Sequence, residues 1–92
     1  MAYLICEQIS QGLRDSERTV LVRDIHGRKH FLRVEEAFLA QEGGRYWLPV
    51  GQICEDPEGG FVLIEFPQEA ETGANRIWVR PSDLLQRMGA ST

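Results

Sequence analysis

The 92-residue chain is predicted to be mainly β, a small antiparallel five-stranded barrel carrying short helical turns. Three observations predict it. Short apolar runs recur between tight-turn residues, as in small barrels and sandwiches. Sustained helical periodicity is almost absent. A sheet in so short a chain also needs a way to hide its edges, and barrel closure supplies one. The alternative is an α+β arrangement, because residues 3–13 and 35–42 carry helix-like and strand-like patterns together.

In residues 3–13, Ile5, Ile9 and Leu13 recur every four positions, which favours a short helix ending near Gly12. Residues 11–18 are polar and read as a loop. From Thr19 the pattern turns β-like. A two-residue turn at His26-Gly27 sets Asp24 opposite Lys29, Arg23 opposite His30, Val22 opposite Phe31 and Leu21 opposite Leu32. A four-residue loop would place Asp24 against Phe31, so the shorter turn is expected.

Residues 35–42 are good helix formers stopped by Gly43-Gly44, so one or two helical turns are expected there. Residues 45–54 form a strand interrupted by Pro49 and Gly51, and the proline assigns it to an edge or a bulge. Asp56-Pro57-Glu58-Gly59 has turn chemistry, with the positive φ expected at Gly59, and it folds the chain onto the strand at 61–66. That strand is apolar on both faces except at Glu65, as in a central strand. Residues 68–74 make an acidic loop, 75–80 a last strand, and Pro81-Ser82-Asp83 a helical turn.

Five strands with a helical turn beside the last one resemble the SH3-like barrel class in outline. The resemblance is one of architecture alone. The paired tryptophans and acidic loop of SH3 domains have no counterpart in the sequence pattern. One domain over 1–92 is expected, with its core in 19–88, an opening segment 1–18 of unassigned packing and a frayed tail at 89–92.

Charge is segregated. Both ends are mildly basic, whereas residues 35–75 hold nine acids against Arg45 alone. Such a middle argues against a protein that coats nucleic acid. No apolar run is long enough for a membrane span, and residues 1–13 lack the pattern of an export signal, so a cytoplasmic protein without membrane contact is expected. Cys6 and Cys54 then read as two reduced thiols, and Cys54 as a small buried hydrophobe in its strand.

Catalytic chemistry finds little to work with. No serine stands in a nucleophile-elbow context, and Cys54 precedes Glu55 and Asp56, which oppose thiolate formation. His26 and His30 have no metal-ligand spacing, and no Gly-rich phosphate loop precedes a helix. The expected protein is non-enzymatic, takes no cofactor or metal, and binds a protein or peptide segment. Its anchors are expected among Phe38, Tyr46, Trp47 and Trp78, with Trp47 and Trp78 rimmed by Arg45 and Arg76. Two alternatives are a single-stranded RNA- or DNA-binding barrel using Arg23, Arg28 and His30, and a homo-oligomeric subunit pairing through the Pro49 strand as a free edge.

Overall fold

The computed structural model describes residues 2–86. The expected tail at 89–92 lies outside them. The structure is mainly β and antiparallel, with nine strands among the described residues where five were expected. They are β1 (Ala2–Ile5), β2 (Gln8–Gln11), β3 (Glu17–Arg23), β4 (Lys29–Glu35), β5 (Ala40–Glu42), β6 (Arg45–Glu55), β7 (Val62–Glu65), β8 (Arg76–Val79) and β9 (Leu84–Gln86). Strands β2-β3-β4 form one sheet. The other runs β8-β7-β6-β1-β9, with β5 also on β6. Among the described residues neither sheet closes on itself.

The two sheets share one apolar core, built from Leu4, Val20, Val22, Leu32, Leu48, Ile64 and Val79 among others, all almost sealed from solvent. Each such side chain contributes roughly 1.5–3 kcal/mol by leaving water. Strand β4 shows how the sequence specifies this: His30, Leu32 and Val34 point inward while Lys29, Phe31, Arg33 and Glu35 point out. Backbone bonds carry the ladders into the β1–β2 bend, and one bond crosses from the smaller sheet's turn to the larger sheet. Glu7 N donates to Leu21 O at 2.7 Å, and Cys6 N to Tyr46 O at 3.0 Å. Ile25 N donates to Trp78 O at 2.9 Å.

The expected helix in residues 3–13 is instead β1 and β2, one extended stretch bent at Cys6-Glu7. Alternation of Ala2 and Leu4 inward against Tyr3 and Ile5 outward wins over the four-residue spacing, because β6 and β9 offer partners on both sides. Residues 35–42 keep only a single 3-10 turn, Glu36–Phe38, before entering β5. The 3-10 turn Pro81–Asp83 falls where a helical turn was expected.

The first hairpin is one residue out of the expected register. Arg23 faces Lys29, Val22 faces His30, Leu21 faces Phe31 and Val20 faces Leu32. Its loop has three residues. Asp24 N bonds Arg28 O, Gly27 N bonds Asp24 O, and Gly27 takes φ +77°. The Asp24 carboxylate also accepts from the N–H groups of His26 and Arg28, at 2.9 and 3.0 Å, which stabilises this odd loop over the even one. The slip sets His30 beside Val22 inside rather than opposite Arg23.

At the β6–β7 turn, Gly60 rather than Gly59 carries the positive φ, at +74°, while a Cβ on Gly59 would meet Asp56 Oδ2 at 2.7 Å. Strand β6 is no free edge: it is the most heavily partnered strand in the fold, pairing with β5, β1 and β7. Pro49 sits between Trp47, the last residue paired with β5, and Gly51, the first paired with β7. One partner has ended there and the next has not begun, so a missing N–H is tolerated.

Candidate functional site

Where β6 changes partners, the core-facing side of the larger sheet stays partly uncovered. Ala2 stands directly opposite both Val50 and Gln86, so the three share one side of the sheet. Ala2 and Val50, together with Phe66, form the floor of an open groove of about 830 Å³, within the roughly 300–1,000 Å³ of small binding sites. Phe38 and Ile53 stand along its walls with Pro49, Pro67 and Cys54. Phe38 is 49% exposed and Ile53 42%, two of the four large apolar side chains that the described residues leave in solvent.

Local structure explains both exposures. The register of β6 against β7 shifts between Gln52 and Cys54, so Ile53 is the extra residue of a bulge with no cross-strand partner. Phe38 ends the 3-10 turn, none of whose residues is buried. Cys54, expected to be buried, is exposed beyond the bulge, while Cys6 is sealed in the β1–β2 bend, where burial pushes its thiol up to about 12. The polar rim is small. Gln86 donates to Gln52 across the groove at 2.6 Å, and Glu65 pairs with Arg76 at 3.1 Å.

Behind the floor a polar chain runs from the buried His30 out to the exposed Thr72. His30, only 1% exposed, places Nε2 3.0 Å from Asp24 Oδ2 and Nδ1 2.7 Å from Thr72 Oγ1. Burial would raise the Asp24 carboxyl, but hydrogen bonds from His30 and from the N–H groups of Arg28 and His26 outweigh it and hold the group below its ordinary range. With Asp24 ionised, the Nε2–H of His30 donates to it, and Nδ1 meets the Thr72 hydroxyl. The His30 and Phe66 rings are tilted together with centroids 6.0 Å apart, which joins the chain to the groove floor.

Thr72 belongs to the acidic loop 68–74, which straps the side of β4. Glu71 N donates to Phe31 O at 2.9 Å, Gln68 Nε2 donates to Arg33 O, and Glu71 pairs with Arg33 at 3.4 Å. None of Thr72, His30 and Asp24 lines the groove. Their geometry is that of a staple between a loop and a strand.

The aromatic anchors expected from sequence are not brought together. Trp47 is half-buried between Ile5 and Ala40, its Nε1 donating to Glu42 O at 3.0 Å. Tyr46 is half-buried, and its carbonyl accepts from Cys6 N. Trp78 is half-buried on β8 opposite Leu63. Arg45 is exposed at the start of β6, and Arg76 is engaged by Glu65. The expected basic face is dispersed as well. Arg23 Nε donates to both Glu7 oxygens, at 2.7 and 2.8 Å, which holds the Glu7 carboxyl below its ordinary range. Arg28 is exposed at the turn, and His30 is interior.

Among the described residues no group of three His, Cys, Asp or Glu side chains is arranged to hold a metal, and no helix is long and apolar enough to cross a membrane. Comparison of the chain with protein families, with curated proteins and with solved structures finds no match.

Of the groove residues, the sequence points to Phe38 as a binding anchor, and to Pro49 only as part of a pairing edge and Cys54 only as a strand residue. Ile53 looked like an ordinary strand residue. The available signal was Pro49 with Gly51, two residues that unsettle a regular ladder just before it.

Proposed function

We propose that this protein is a non-enzymatic binding module of SH3-like, partly open barrel architecture, which holds an apolar stretch of a protein or peptide in the groove at the β6 bend. The observation that carries the reading is the pairing of Phe38 and Ile53, both strongly exposed, on the walls of one cavity floored by core residues. Exposed large apolar side chains scattered singly mean little, whereas two converging on one concavity mark an interaction surface. The continuous chain through the Cys6-Glu7 bend and the Ile25–Trp78 bond, which link the two sheets, support the barrel reading. Two unpaired thiols suit a reducing, cytoplasmic setting.

The groove favours binding over catalysis because its walls are apolar and hold no histidine, while His30 is sealed away from it. It also favours a protein or peptide over single-stranded nucleic acid, since Arg23 is engaged by Glu7 and His30 is interior.

Panning a short random-peptide library on the protein, with Ile53→Asp as the counter-target, tests this. Enriched peptides should bind the wild type at least about tenfold tighter than the variant, a difference of about 1.4 kcal/mol. The variant should keep the wild-type circular dichroism. Enrichment that is indifferent to Ile53→Asp overturns the assignment of the groove.

A further inference from the structure

We infer that the occupant of this groove is a positively charged segment, an apolar anchor flanked by lysine or arginine. The inference rests on the binding reading above and adds the partner's chemistry. Five carboxylates lie on the groove wall or within two residues of it along the chain: Glu36, Glu55, Asp56, Glu65 and Glu69. Against them stands one cation at the same sequence distance, Arg87, next to Gln86 and outside the described residues. Two of the five acids are neutralised, Glu36 by Arg18 at 3.2 Å and Glu65 by Arg76 at 3.1 Å. Among the described residues no cation reaches ion-pair distance of Glu55, Asp56 or Glu69.

These three acids do not share one structural task. The Asp56 carboxylate accepts from Glu58 N at 3.0 Å and so holds the β6–β7 turn. Glu55 and Glu69 are both exposed and make no hydrogen bond or ion pair through their side chains among the described residues. Glu55 follows Cys54 on the wall directly, and Glu69 is two residues beyond Pro67, so each backbone lies within roughly 7 Å of a groove residue. That is inside the ~8–10 Å over which charges act through physiological salt. Uncompensated charge at the rim of an apolar cleft selects a partner of opposite sign and repels polyanions.

The Glu65–Arg76 pair is more than half exposed on the Arg76 side. An incoming guanidinium can therefore compete for Glu65 at small cost, since solvent-exposed ion pairs contribute little.

The library selection above, read by composition, tests the inference separately from the groove. Groove-dependent peptides should be enriched in Lys and Arg around an apolar core. Their affinity should fall about tenfold or more for the double variant Glu55→Lys with Glu69→Lys, two exposed positions, and should weaken steadily from about 50 to about 300 mM salt. Peptides with neutral or acidic flanks that bind independently of salt, yet still need Ile53, overturn the inference and leave the groove reading intact. If no enriched peptide needs Ile53, both fall. A single-stranded oligonucleotide binding through the same positions would also overturn it.

Discussion

Two places in this molecule leave a strand short of neighbours, and the chain treats them in opposite ways. Beside β4, the loop 68–74 folds back and supplies backbone and side-chain partners, and its Thr72 meets His30, which in turn bonds Asp24. At the β6 bend no such strap arrives among the described residues, and Phe38 and Ile53 remain in solvent. The comparison teaches where stability and binding reside. A strapped margin removes the unpaired donors and acceptors that invite aggregation. An open one, walled by side chains rather than bare backbone, offers apolar surface to a selected partner.

The largest effect is expected at the strapped margin. Asp24→Ala removes the acceptor from His30 and two turn N–H groups at once, leaving a buried imidazole N–H without a partner. Losses of this kind amount to about 2–4 kcal/mol. Urea denaturation should show that fall in stability. Ile53→Ser at the open margin should change it by no more than about 0.5 kcal/mol, because the side chain is exposed and has no cross-strand partner. Equal losses at the two sites would abolish the contrast.

A pH series sharpens the same comparison at intermediate size. The folded Asp24 carboxyl lies below its ordinary value of about 3.9, so its contribution is fully present above that value and is lost as pH falls through the folded one. Wild-type stability should therefore drop on acidification below about pH 4 by more than that of Asp24→Asn, which keeps one acceptor oxygen but cannot titrate. Identical acid limbs would mean that Asp24 draws nothing from its ionised state.

How legible was this in the sequence? The β character of residues 19–80 was, because β-branched runs between Gly and Pro turns have few alternatives. The turn at residues 24–28 was located but misregistered. Counting cross-strand pairs weighed Asp24 against Lys29, whereas the winning contacts are from the Asp24 carboxylate to its own turn, a local bond that pair counting omits. The opening of residues 3–13 went astray for the opposite reason: the strand character of β1 comes from β6 and β9, some forty and eighty residues away, while β2 pairs with the nearby β3. The groove was the least legible feature. It depends on a bulge at Ile53 and on the absence of sheet closure, and neither is a property of any short segment.

The smallest perturbation separates the closed interior from the open groove without altering either. Cys6 lies where the β1–β2 bend carries the chain from one sheet to the other, and burial holds its thiol at about 12. Cys54 stands exposed on the groove wall. Thiolate attack needs both ionisation and access, so a neutral-pH disulfide reagent should modify Cys54 in the native protein and reach Cys6 only on unfolding. Intact-mass measurement should show one addition under native conditions and two in denaturant. A groove-bound peptide should then slow the native addition, whereas a ligand seated elsewhere leaves the rate unchanged. Rapid native labelling of Cys6 would instead show that the bend joining the two sheets opens readily, and the contrast between a closed core and an open groove would fail.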